Sequence, residues 1–197
     1  MRRLASASIG ALALAVAVLA ADASAAPVAG PGLVGPRIAH PSTTPDFGLR
    51  DQHGRLVRLS AQRGKVVMLT FLYTHCPDLC PLTAMHIDDA LDTLGPRRNG
   101  VVALAVSIDP RGDTPASVRS FVRAHRLRPQ FHYLTGPRRA LARIWRLYDV
   151  ASVKVNGPDP DHTLYVLLLD RSGKTRVLFD ATATASAMAH DLRVLLR

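Results

Sequence analysis

The chain has 197 residues, two cysteines and a formal net charge of +10. All 15 acids are aspartates and arginine outnumbers lysine 22 to 3, yet the basic residues are scattered and form no stripe with interleaved aromatics, which argues against nucleic acid as a partner. Two cysteines exclude a four-sulfur iron–sulfur or zinc site.

Residues 1–26 read as a secretory signal peptide. Arg2 and Arg3 precede an apolar run over 9–21, and Ala23-Ser24-Ala25 is a small-residue cleavage site. The run is shorter than the ~20 residues a spanning helix needs. An uncleaved inner-membrane anchor is the alternative, and no cysteine follows the run to take a lipid. Export places the remaining chain in the periplasm, an oxidising compartment. Its positive charge also suits proximity to an anionic membrane surface.

Residues 27–45 hold five prolines and three glycines and are expected to form a flexible, extended leader. A single domain is expected over 46–197. Asp51-Gln52-His53-Gly54 between short apolar positions predicts a hairpin over 47–59. The run 65–73 predicts a buried strand. A helix follows over 81–94, with Leu82, Ile87, Leu91 and Leu94 as its apolar face and Gly95-Pro96 as its stop. The near-continuous apolar run 101–108 predicts a strand buried on both faces. Thr114 is an expected N-cap with Pro115 at the first helical position. Val118, Phe121, Val122 and His125 then repeat at helical spacing.

A short strand is expected over 131–134. A helix opening at Gly136-Pro137 would turn Leu141, Ile144, Trp145 and Tyr148 inward. A strand over 151–155, a turn over 156–160 and an apolar strand over 163–169 come next. Residues 171–173 turn the chain into a strand over 175–179, and a last helix carries Met188, Leu192 and Leu195. This β-α-β-α then β-β-α order predicts an α/β domain with a mixed central sheet flanked by helices. It is the order of a thioredoxin-like fold with an added N-terminal hairpin and an inserted helix.

Both cysteines lie in Tyr73-Thr74-His75-Cys76-Pro77-Asp78-Leu79-Cys80-Pro81, at the junction of a buried strand and a helix. Positions four apart share a helix face, so the two sulfurs can hold one metal ion or close one disulfide. A disulfide here closes a very short loop and contributes little stability, which favours a functional role. A helix N-terminus is expected to favour thiolate and lower the cysteine pKa. Two thiolates form a soft clamp that selects Cu(I) or zinc. For a third ligand, His75 adjoins Cys76, but adjacent side chains rarely converge. His86 lies about 120° around the helix from Cys80. His40, His53, His125, His132 and His190 have no supporting pattern. His162, in Pro160-Asp161-His162-Thr163, enters the second apolar strand. In a thioredoxin-like topology that loop lies beside the cysteine helix.

The segment 73–81 resembles the signature of the Sco/SenC copper chaperones for cytochrome c oxidase assembly. Ser107-Ile108-Asp109-Pro110 with Asp113-Thr114-Pro115, and Asp161-His162-Thr163, are similar to the same family, in order, over residues 45–195. The resemblance implies one copper, as Cu(I), Cu(II) or both in turn, bound by Cys76, Cys80 and His162. Asp161 and Asp78 would stand just outside the ligands, orienting them or balancing charge. It implies delivery to the dinuclear copper centre of cytochrome c oxidase subunit II, or reduction of that subunit's cysteines. Other periplasmic copper chaperones and thiol reductants would be further partners. The stretch from Tyr148 to His162 is short for this family.

Two enzymatic alternatives share the fold. A thiol–disulfide oxidoreductase would use Cys76 and Cys80 as its redox pair, but the usual spacing is Cys-x-x-Cys, and Pro160 stands two residues too early for the cis-proline such enzymes carry before the strand. A peroxiredoxin-type peroxidase usually has threonine three residues before its cysteine, where this chain has Tyr73.

Overall fold

The computed structural model describes residues 32–150 and 164–197. Two apolar runs set its centre. β3 (Val66–Leu72) and β4 (Val101–Ser107) are buried at every position, as strands covered on both faces must be. They pair in parallel from Val66↔Val101 to Leu72↔Ser107. The one hydroxyl in β3, Thr70 Oγ1, donates to the Tyr165 carbonyl at 2.8 Å, so it is buried without being orphaned.

The predicted hairpin forms from β1 (Gly48–Arg50) and β2 (Leu56–Arg58). Asp51 Oδ1 accepts from the His53 and Arg55 amides, and Gly54 takes the positive φ of 78° that closes the turn. Further along come α1 (Leu79–Thr93), α2 (Pro115–Ala124), β5 (Phe131–Leu134), α3 (Arg138–Leu147), β6 (Tyr165–Leu169), β7 (Thr175–Asp180) and α4 (Ala185–Leu195). The five-stranded sheet has the order β5-β4-β3-β6-β7. β5 is parallel to β4, whereas β6 and β7 run antiparallel to their neighbours. The expected mixed α/β sheet is therefore present.

Local signals account for the helix starts. Thr114 Oγ1 accepts from Ser117 N at 3.1 Å, with Pro115 next, and Thr184 Oγ1 caps α4 through Ala187 N at 3.3 Å. α1 begins at Leu79, earlier than Pro81, because a proline in the first turn gives up an amide that has no partner there. Its buried face runs through Cys80, Ala84, Ile87 and Leu91, and Leu82 is 40 % exposed. Leu82 was expected inside, but five residues at 100° each set it about 140° from Ile87.

The segment expected to be a flexible leader is extended, but its described part does not hang free. Ile38 N donates to Arg176 O, Leu178 N to Pro36 O and Thr44 N to Gly173 O along the outer edge of β7. Fully buried Asp191 of α4 accepts from Val34 N at 2.7 Å and Gly35 N at 3.0 Å. Backbone pairing to an otherwise open sheet edge supplies order that proline and glycine content does not reveal. The strand expected over 151–155, the turn over 156–160, Asp161, His162 and the signal-peptide segment lie outside the described residues.

Candidate metal and thiol site

β3 ends at Leu72, and the chain turns through Tyr73-Thr74-His75-Cys76, with Cys76 N donating to Tyr73 O at 3.4 Å. α1 begins three residues later. The Cys80 amide, one of the helix's unpaired first-turn donors, points at Cys76 Sγ at 3.3 Å. Both thiols are free. Cys76 is half-buried, and Cys80 is 0 % exposed beneath it.

A buried carboxylate holds this turn in place. Asp113, 3 % exposed, accepts from Thr74 N at 2.8 Å through Oδ1. Its Oδ2 accepts from Ser107 Oγ at 2.6 Å and Tyr133 OH at 3.1 Å. Ser107 ends β4, and its carbonyl accepts from Trp145 Nε1 of α3 at 3.0 Å. One network thus ties the cysteine turn to β4, β5 and α3. In the sequence, Asp113 stands out only as part of a motif. The available signal was an aspartate just beyond an apolar strand, inside a helix-capping sequence, but nothing local identifies Thr74 as its partner.

The electrostatics differ from expectation at Cys80. The helix N-terminus was expected to lower the cysteine pKa. Burial instead pushes the Cys80 thiol well up, and the hydrogen bond and charge of Cys76 and the charge of Asp113 add to this; a hydrogen bond at Tyr73 opposes them. Desolvating a thiolate outweighs the helix's partial charge. Burial also raises the Asp113 carboxyl, and the donors from Ser107, Thr74 and Tyr133 recover only part of that.

The remaining candidates are spread out. Asp78 is exposed at the α1 N-cap, and its side chain makes no capping bond. His75 is exposed, with Nδ1 3.2 Å from Thr74 Oγ1 and beside Gly112, where Asp109 also crowds the space a Cβ would need. His86 Nδ1 is 3.1 Å from the Ala183 carbonyl, His132 faces Asp51, His190 contacts Asp191, and His125 packs edge-on to Phe121. Among the described residues, no three histidines, cysteines or acids gather at a metal-holding site. Within that set, the two thiols of the cysteine turn stand as the one pair of soft donors.

A sequence model described as SCO1/SenC matches residues 36–197. This chain belongs to the SCO1/SenC family. It is 27 % identical over 135 residues to the SCO2-like protein of Rickettsia felis, covering 66 % of this chain and 65 % of that one. It is 29 % identical over 155 residues to the mitochondrial SCO2 homolog of Bos taurus, covering 75 % of this chain and 58 % of that protein. The chain thus spans less than two thirds of the length of either of these SCO1/SenC relatives.

Solved structures of the family superpose on it. Bradyrhizobium japonicum ScoI with copper bound matches with a TM-score of 0.68 and 31 % identity, covering 78 % of this chain and 99 % of that one. The apo Sco1 protein of Thermus thermophilus matches with a TM-score of 0.70 and 30 % identity, covering 82 % and 95 %. The thioredoxin-like fold with an added N-terminal hairpin is therefore the SCO1/SenC fold.

Proposed function

We propose that this chain is a copper metallochaperone. It would bind one copper ion through Cys76, Cys80 and His162 and deliver it to the dinuclear copper site of cytochrome c oxidase subunit II. The observation that carries this reading is the convergence of two free thiols in one turn, with Cys80 N 3.3 Å from Cys76 Sγ. Soft thiolates in a pair suit Cu(I). The solved Bradyrhizobium japonicum relative, 31 % identical, has copper bound. The register supports His162 as third donor: Val166 pairs with Thr70, so the chain enters β6 beside the end of β3 that leads into the cysteine turn. Two thiolates and one imidazole leave an open position through which a partner's ligand enters before the first set leaves. Cu(II) in the same set would recruit a further nitrogen or oxygen donor. Asp161 and Asp78 would balance charge around the ligands.

Copper loading needs both thiols reduced, and it removes their protons. The test is Cu(I) binding by the reduced chain, with His162→Ala and Cys76→Ser beside the wild type at matched thiol content. One copper per wild-type chain, clearly weakened in both variants, is expected. Binding unchanged by His162→Ala removes that residue from the site.

The unequal exposure of the thiols favours one alternative, periplasmic reduction of a partner disulfide. Half-buried Cys76 would attack as thiolate, forming a mixed disulfide and releasing one partner thiol. Cys80 would then resolve it, leaving a Cys76–Cys80 disulfide and a reduced partner dithiol, two electrons having passed to the partner. Absence of competitive copper binding together with fast disulfide exchange selects this reading. Export to the periplasm is part of both readings; no helix among the described residues is long and apolar enough to cross a membrane.

A further inference from the structure

We propose that the arginine face of α3, with the groove beside it, seats this protein on an anionic phospholipid bilayer. Arg138, Arg139, Arg143 and Arg146 line one open surface together with Ala142. At 100° per residue they cover an arc of about 140°, facing away from Leu141, Ile144 and Tyr148, which pack inward. All four are exposed, and among the described residues none pairs with a carboxylate. Arg55, Arg128 and Arg176, by contrast, each hold an aspartate. An unpaired cluster of like charges on ten residues of helix is self-repelling, and an external anion relieves it.

The groove adjoining this face indicates which anion. Ala140 and exposed Leu147 line it above the buried Phe47 and Ile144 side chains, with Arg58 and Arg143 as its basic residues. Leu147 is 44 % exposed. The acid in this groove, Asp46, is engaged with the Ser60 amide at 2.8 Å. Apolar surface bordered by guanidiniums matches the junction of phosphate headgroups and acyl chains. Guanidinium pairs bidentately with phosphate and gives up water more readily than ammonium, and the face contains no lysine. An acidic protein surface would complement the charges but leave exposed Leu147 unmatched, so the observations favour lipid.

Trp145 is the chain's sole tryptophan and lies half-buried on α3, about 20° outside the arginine arc on the side of Arg138. Its fluorescence reports the approach of α3 to a bilayer, and comparing arginine variants that share the same N-terminal segment separates the contribution of α3 from that of the segment. The full chain is mixed with phosphatidylcholine vesicles carrying brominated acyl chains, with and without phosphatidylglycerol. Quenching of Trp145 is expected only when phosphatidylglycerol is present, and it should fall away at about 0.5 M salt. Replacing Arg138, Arg139, Arg143 and Arg146 by Gln should raise the lipid concentration for half-quenching by at least about tenfold. A control with Arg97, Arg119, Arg123 and Arg197 replaced by Gln, carrying the same loss of charge, should change it far less. Near-ultraviolet circular dichroism checks that both sets remain folded.

Equal quenching on neutral vesicles, or equal loss in both sets, overturns the proposal. It is also overturned if lipid leaves Trp145 unquenched while polyaspartate shifts its emission in an Arg-dependent way, which would assign the face to an acidic polypeptide.

Discussion

Asp113 shows how one residue can govern a site it does not enter. Its carboxylate gathers the amide that precedes the His75-Cys76 pair, the hydroxyl that ends β4 and the phenol of β5. Asp113→Ala leaves two buried hydroxyls and a part-buried amide without an acceptor, and it should cost about 2–4 kcal/mol by urea denaturation. Asp113→Asn, which still accepts through one oxygen, should cost less. A second carboxylate determines the response to acid. Burial pushes Asp51 up, but hydrogen bonds from Arg55, His53 and His132 outweigh it and hold the carboxyl below its ordinary 3.8. Its contribution to stability is therefore full above about pH 4 and is lost as pH falls through the folded value. His132 adds to the same trend at higher pH. Burial lowers it below 6.5 despite the opposing pull of Asp51, so the unfolded chain takes up that proton first on acidification. Raised Asp113 acts in the opposite sense, contributing most below 3.8 and least once it ionises. Subtracting the profile of Asp51→Asn from the wild type isolates the Asp51 step. The variant should lose about 1–3 kcal/mol at neutral pH and show a flatter decline below pH 4 in denaturation midpoints.

At the scale of elements, the described N-terminal segment behaves as an added edge rather than a tail. Asp191, buried on α4, holds the Val34 and Gly35 amides, while Ile38 and Thr44 pair with the β7 region. Gly35 lies so close to Phe179 and Val177 that an added Cβ would come within 2.6 Å of both. Gly35→Ala should therefore displace the strap, and Asp191→Ala should release its start. In both variants amide hydrogen exchange at Ile38 and Thr44 should accelerate at least about tenfold, while β3 and β4 amides change little. Equal acceleration in β3 would mean that the strap is part of the global folding unit. The strap covers the β7 edge, which would otherwise present unpaired backbone groups to other chains.

For the whole molecule, the parallel pair β3–β4 delivers the cysteine turn and the Asp113 loop to the same end of the sheet, where reactive groups of open α/β sheets collect. Ligand binding at such a junction should stabilise the whole fold. If copper binds as proposed, free Cu(I) buffered at a hundredfold its dissociation constant should raise the unfolding free energy of the reduced chain by about 2.7 kcal/mol. That gain should vanish in Cys76→Ser and in the oxidised wild type, measured as thermal shifts. A surface lined by Leu79, Leu82 and Met85, 40–50 % exposed, extends from the site along α1.

Sequence by itself determined the two central strands, because seven-residue runs with six apolar members have no stable place except between two covering layers. It also determined the hairpin turn, the Thr114 cap and the nearness of the two thiols, since each depends on residues within a few positions of one another. The family signature in segment 73–81 was legible for the same reason. Only the tertiary structure decided that Asp113 holds Thr74 across 39 positions of chain, that Asp191 and β7 hold the proline-rich segment, and that Leu82 faces outward. It also decided that the Cys80 thiol is raised rather than lowered, because the effect depends on how much water the rest of the fold removes. Spacing encodes local geometry, whereas burial and the choice of distant partners exist only once the sheet has brought separate segments together.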